Sequence, residues 1–232
     1  MTVTTTRLGG AAALVYKELM ADIADFRLLP GDRFTETDLS HRFGASRTPI
    51  RDALLQLKRD GFVDVRFRAG WYVCPFDFQR FDELYELRMI LEVAAFERLL
   101  RGEETVRNSM LGALEAIWLV DEDDRETDPR RMTELDEGFH SGIVEAAGNR
   151  EMAIIHRENT EKIRIIRRLD FFKDLRIAAT YREHGEILRL LRRGSLSEAI
   201  ILLRAHIEAS KQEVRKITLH MMHEARLGAA KL

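Results

Sequence analysis

The chain has 232 residues, 45% hydrophobic and 33% charged, the balance of a packed globular protein and not of a disordered one. Its formal net charge of −2 gives no overall sign of a nucleic-acid partner, and its one cysteine, Cys74, excludes an intrachain disulfide framework or a cysteine-rich zinc site. No run approaches the ~18 apolar residues of a membrane span, and the opening MTVTTTRLGG lacks the apolar core and cleavage site of a signal peptide, so a cytoplasmic protein with no membrane partner is expected.

Residues 1–9 read as a polar tail. Apolar residues at Leu14, Val15, Leu19, Ile23 and Phe26 recur at helical spacing and predict an amphipathic helix. LLPGDRF (28–34) ends it in a Pro-Gly turn. Thr35 or Thr37 can cap a short second helix, closed by Gly44. GASRTPIRDAL (44–54) opens a third helix that stops at Gly61. Then the period changes: FVDVRF alternates as a strand does, RAG turns the chain, and WYVCP is a second short strand. From Phe76 onward no strand is predicted. One helix covers FDELYELRMILEVAAFERLL, and others fall at roughly 103–120, 130–147, 149–170, 174–193 and 195–225, with the acidic DEDDRETDP (121–129) as the main interruption. The fold class is therefore mainly α, with an N-terminal unit over 10–75 and an all-helical antiparallel bundle over 77–227.

The charge is unevenly spread. Residues 42–68 carry seven Lys or Arg against three acids, an excess of four in a slightly acidic chain. A helix ending at Gly44, a short turn and a second helix are the parts of a helix-turn-helix, and the strand pair behind them has the form of a wing. Ile50, Ala53, Leu54 and Leu57 would face the core, while Arg47, Arg51 and Lys58 point within about 40° of one another beside that stripe. Such a face suits the major groove, where arginine pairs with guanine and lysine meets phosphate. Ser46 or Thr48 can cap the helix, with Pro49 in its first turn, and Arg66 and Arg68 precede Gly70 in the wing. A capped surface helix with solvated arginines fits the same spacing.

The stretch LLPGDRFTETDLSHRFGASRTPIRDALLQLKRDGFVDVRFRAGWYV resembles the winged-helix DNA-binding domain of the GntR family of bacterial transcription regulators. The resemblance implies that Thr37, Ser46, Arg47, Thr48, Arg51 and the wing glycine Gly70 contact double-stranded operator DNA. The family more often has a basic or small residue where Thr37 stands and a small one where Trp71 stands.

Asp136 and His140 are i, i+4 and share a helix face. His184 and His206 each lie eleven residues from Ser195, so an antiparallel hairpin about Gly194-Ser195 would set them at one height. One carboxylate and three imidazoles suit Zn²⁺, Ni²⁺ or Mn²⁺, with positions left for water or a ligand carboxylate. Packed or surface histidines are the alternative that spacing leaves open. Residues 77–215 are similar to the FCD effector domain of the FadR subfamily, through LYELRMILE (84–92), DEGFHSGIVEAAGN (136–149), EHGEIL (183–188) and EAIILLRAHIEAS (198–210). That resemblance implies Asp136, His140, His184 and His206 as ligands of a divalent metal, for which the donor set puts zinc first, with nickel or manganese as alternatives. It also implies a small carboxylate effector held by the metal and by arginines.

Arg88 is the first candidate for that grip, with an ordinary i, i+4 pair to Glu92 as the alternative. Arg164, in the basic run KIRIIRRLDFFKDLR (162–176), is the second. His220 and His223 are read as helix surface. The expected protein is a homodimeric, effector-controlled repressor and not an enzyme. A metal-dependent enzyme and a sensor of the metal itself are the alternatives. The sequence offers no well-placed general base, no nucleophile elbow and no phosphate loop, which weighs against catalysis.

Overall fold

The computed structural model describes residues 9–67, 70–171 and 174–214. The chain divides between Asp77 and Phe78 into two compact units.

In the first unit, α1 (Gly10–Ala24) packs on α3 (Arg47–Arg59). Val15, Leu19 and Ile23 from one and Ile50, Ala53, Leu54 and Leu57 from the other are buried, so the helical apolar spacing becomes the core of the unit. Between them in sequence lies α2 (Glu36–Phe43), which packs on α3. Thr35, not Thr37, is its cap: the Thr35 hydroxyl accepts from the Asp38 N–H at 3.1 Å and the Asp38 carboxylate accepts from the Thr35 N–H at 2.8 Å. Thr37 is thereby left exposed on the helix surface. Gly44 ends α2 in the left-handed conformation, at φ 58°. Ser46 is the N-cap residue of α3, and its hydroxyl makes no capping bond. Arg42 on α2 and Arg27 both donate to the buried Asp22 of α1, which ties the helices together at their polar edge.

The wing is β2 (Val63–Arg66) and β3 (Gly70–Val73), antiparallel, with Val65 opposite Trp71. The structure adds a strand that the sequence pattern did not suggest. The Pro-Gly turn leads into β1 (Arg33–Phe34), which pairs with the far edge of β3 and gives the order β1-β3-β2. Two residues are too few to show a period, so only tertiary pairing reveals this strand. Gly70 sits at φ 77°, and a Cβ there would stand 3.0 Å from the Phe34 carbonyl oxygen. Both the backbone angle and that close approach require glycine.

The second unit is all-helical: α4 (Phe78–Arg101), α5 (Glu104–Trp118), α6 (Pro129–Ala146), α7 (Arg150–Asp170), α8 (Asp174–Arg193) and α9 (Leu196–Val214). The acidic interruption is a loop with a short 3₁₀ turn at Glu122–Asp124. Asp128 caps α6, with Pro129 at its start, and Asn149 caps α7 by accepting from the Met152 N–H at 3.1 Å. Helix α4 packs on α6, α7 and α9, α5 on α6 and α8, and α8 on α9. That arrangement brings α4, α6, α8 and α9 around one interior. The final part of the helix predicted at 195–225, His220 and His223 with it, lies outside the described residues, as does Arg68.

Candidate metal centre and nucleic-acid interface

Asp136 and His140 on α6, His184 on α8 and His206 on α9 are all buried, and one ligand atom from each lies within 4.8 Å of the rest. His184 Nε2 is 3.3 Å from His206 Nε2 and 3.3 Å from Asp136 Oδ1. His140 Nε2 is 3.3 Å from His206 Nε2 and 3.6 Å from Asp136 Oδ1. Ligands bound at ~2.1 Å around one tetrahedral ion stand about 3.4 Å apart. The donor set and its spacing therefore fit a divalent metal.

Three of the four ligands are aimed by a charged partner. His140 Nδ1 meets Glu92 Oε2 at 2.6 Å, and His206 Nδ1 meets Glu183 Oε2 at 2.5 Å, so both rings are held with Nε2 toward the centre. Arg167 Nη2 engages Asp136 Oδ2, leaving Oδ1 to the cluster. His184 is placed differently. It stacks on Phe139 at 3.7 Å and 5° between planes, and the Trp118 ring meets it edge-on. Its Nδ1 has no hydrogen-bond partner among the described residues.

Glu92 also accepts from Arg88 Nε at 2.7 Å and contacts His156 Nε2 at 3.1 Å. Burial alone would raise its carboxyl, but its interactions with His140 and Arg88 and the hydrogen bonds to His140 and His156 hold it well below the ordinary value. Burial lowers His140 to about 4, helped by the Arg88 charge and opposed by Glu92. Burial likewise lowers His206 to about 3, against the pull of Glu183. His184 is pushed well down by burial and by the neighbouring His206 and His140. The free cluster is thus neutral at its imidazoles, the form that binds metal.

A pH dependence follows for the metal-stripped protein. The unfolded chain takes up these protons near 6.5, the folded one near 4 at His140 and near 3 at His206. Across that window the unfolded state holds more protons, so stability is full above about pH 6.5 and falls as pH drops through it. Urea midpoints of chelator-treated protein are expected to decline steadily from about pH 7 to about pH 4.5.

The two arginine candidates fare differently. Arg88 does form the i, i+4 pair with Glu92, but at 1% exposure and only through Nε. Its Nη1 and Nη2 are buried with no hydrogen-bond partner among the described residues. Arg164 is half-exposed and its guanidinium is forked onto Glu137, with contacts of 2.7 to 3.0 Å. The residue of that basic run that reaches the cluster is Arg167, which the sequence reading did not single out.

In the first unit, Ser46, Arg47, Thr48 and Arg51 are exposed on the opening turns of α3, with Thr37 beside them on α2. Arg47 Nη2 donates to Thr37 Oγ1 at 3.2 Å. Arg51 donates from Nε to Glu36 Oε1 at 3.0 Å and from Nη2 to Glu36 Oε2 at 2.8 Å. Lys58 joins Asp64 of β2 at 2.5 Å, which places it at the wing end of the helix, and the Arg66 guanidinium lies over the Tyr72 ring at 4.6 Å. Gly70 faces the Phe34 carbonyl at the start of β3.

Comparison with known proteins decides the family. Residues 11–73 match the bacterial regulatory proteins of the gntR family, and residues 83–209, more than half the chain, match the FCD domain. The chain belongs to the GntR family of bacterial transcription regulators. This GntR regulator is 29% identical over 192 residues to the Nta operon transcriptional regulator of Aminobacter aminovorans, covering 83% of this chain and 89% of that protein. It is 26% identical over 206 residues to the HTH-type transcriptional regulator YdhC of Bacillus subtilis, covering 87% and 90%. Among solved structures, a GntR transcriptional regulator from Rhodococcus sp. RHA1 superposes with a TM-score of 0.69 at 20% identity, covering 90% of this chain and 100% of that one. Escherichia coli McbR/YncC does so with 0.67 at 16%, covering 90% and 98%. These two likenesses show the fold alone. No helix among the described residues of this GntR regulator is long and apolar enough to cross a membrane.

Proposed function

We propose that this GntR regulator is a cytoplasmic, homodimeric repressor whose operator affinity is set by a small organic acid bound beside a metal in the FCD domain. Zinc is the first choice for the metal, with nickel or manganese as alternatives, because three imidazoles and one carboxylate suit borderline ions. Asp136, His140, His184 and His206 would hold it. A divalent ion there supplies a Lewis-acidic anchor for one carboxylate oxygen of the effector.

The observation that carries the reading is Arg88. Burying a guanidinium with two unbonded nitrogens costs free energy unless an anion completes it. Glu92 joins it to His140, so the anion-seeking group and the metal ligand are fixed by one carboxylate. Arg88 is therefore the effector-gripping arginine of this proposal. Arg164, already forked onto Glu137, serves instead to join α7 to α6.

Thr37, Ser46, Arg47, Thr48, Arg51 and Gly70 form the proposed DNA interface. A dimer would set two such surfaces on the half-sites of a pseudo-palindrome. Arg47→Ala or Arg51→Ala is expected to weaken specific binding by about 1–3 kcal/mol each. Fluorescence anisotropy on a duplex selected by the wild type checks this, and unchanged affinity refutes the assignment. Metal-replete protein is then titrated on that duplex with and without small carboxylates. An acid that changes affinity supports the proposal; a response to the metal alone would make the protein a metal sensor instead.

A further inference from the structure

We propose that Glu36, at the start of α2, is the residue that sets which base Arg51 reads, by holding one edge of its guanidinium and leaving the other to the DNA. The inference rests on the reading of Arg51 as a base contact. Glu36 itself points to no ligand in the sequence, where it is one acid in the capped start of a short helix.

The geometry assigns the edges. A guanidinium has five N–H donors, one on Nε and two on each Nη. Glu36 takes the side edge, Nε at 3.0 Å and Nη2 at 2.8 Å. The end edge, Nη1 with the second hydrogen of Nη2, remains. Two parallel donors are what the O6 and N7 acceptors of guanine require in the major groove. Without Glu36, Arg51 is a long side chain, 60% exposed, that can turn to phosphate as readily as to a base. Held by the carboxylate, it reaches DNA with most of its rotamer freedom already lost.

Glu36 is itself well placed to hold. Its side chain is 20% exposed, and it sits in the first turn of α2, where the capping box and the helix dipole favour an anion. Arg51 first, then the Trp71 indole and the Arg47 charge, keep its carboxyl ionised below the usual range against the cost of burial. Trp71 is buried in the central strand of the wing, opposite Phe34 and Val65. The Trp71 indole thus stands behind the carboxylate that holds Arg51. Recognition helix, α2 and wing meet at Glu36.

The test is selection from a random duplex library by full-length wild type, Glu36→Gln, Glu36→Ala and Arg51→Ala. Wild type is expected to select a guanine at one position of each half-site that Arg51→Ala no longer selects. Both Glu36 variants should lose preference at that same position, about ten-fold, with the other positions intact. They should also bind unrelated duplex at least as tightly as wild type, because a negative charge near the phosphates has gone. Three results overturn the inference. In one, Arg51→Ala loses the guanine and the Glu36 variants keep it. In another, the variants bind the selected duplex more tightly, which would make Glu36 a competitor of DNA. In the third, all positions weaken together with a lowered melting temperature, which would make it merely structural. If Arg51→Ala changes no position, the reading of Arg51 falls, and this inference falls with it for a separate and visible reason.

Discussion

His206→Ala protein is expected to purify without the stoichiometric divalent metal expected of the wild type. The substitution removes one of four ligand atoms and costs Glu183 Oε2 its Nδ1 contact at 2.5 Å, leaving it the Arg176 Nη1 contact at 3.2 Å. Elemental analysis reads the loss directly, and stoichiometric metal in the variant would sink the site. A graded effect separates ligand from partner. Glu183→Gln keeps all four ligands but loses the carboxylate behind His206, so its metal affinity should fall about 10–100-fold without vanishing. The same variants give a second readout through linkage. A ligand present at ~1,000 times its Kd stabilises the folded state by about 4 kcal/mol. A chelator should therefore lower the melting temperature of wild type clearly, Glu183→Gln less, and His206→Ala not at all.

Arg88→Lys is the second large effect, and it isolates the effector from the metal. Lysine can still place a cation against Glu92, so the carboxylate that aims His140 keeps a partner and the metal stays. What disappears is the fork, since an ammonium cannot offer two parallel N–H donors to a carboxylate. Each hydrogen bond to a charged group contributes about 1.5–3 kcal/mol, so effector affinity should fall by at least an order of magnitude. Isothermal titration of metal-replete protein with an acid that shifts the wild-type melting temperature measures it. Equal affinity in the two proteins, with equal metal content, would remove Arg88 from the pocket. Alanine is the poorer probe, because it leaves Glu92 short of a donor in a fully buried place.

The parts of the molecule that follow short-range rules could be read from the residues. The helices of both units were visible because apolar residues recur at helical spacing and caps stand where helices begin. His184 and His206 were placed face to face by equal distances from a single turn, and their Nε2 atoms do lie 3.3 Å apart. What could not be read depends on registers between distant helices. Glu92 meets His140 across 48 residues and Glu183 meets His206 across 23, and neither pairing has a local spacing that announces it. Glu92 did have a visible signal, the i, i+4 relation to Arg88, but that signal describes a surface pair equally well. Arg164 and Arg167 differ by three positions in one basic run, and the side that faces Asp136 is decided by how α7 crosses α6. Strand β1 has no sequence signature because two residues carry no pattern, and Thr35 and Thr37 are alike as caps in sequence because both are threonines near the start of the same helix.

Glu92 touches both Arg88 and His140. If an acid draws the Arg88 guanidinium toward itself, the carboxylate shared with His140 is redistributed, and the metal is held with a different strength. Thermodynamics then demands the converse in equal measure: whatever factor the acid adds to the grip on the ion, the ion adds to the grip on the acid. The cell's metal supply would therefore tune the concentration of acid at which the regulator answers.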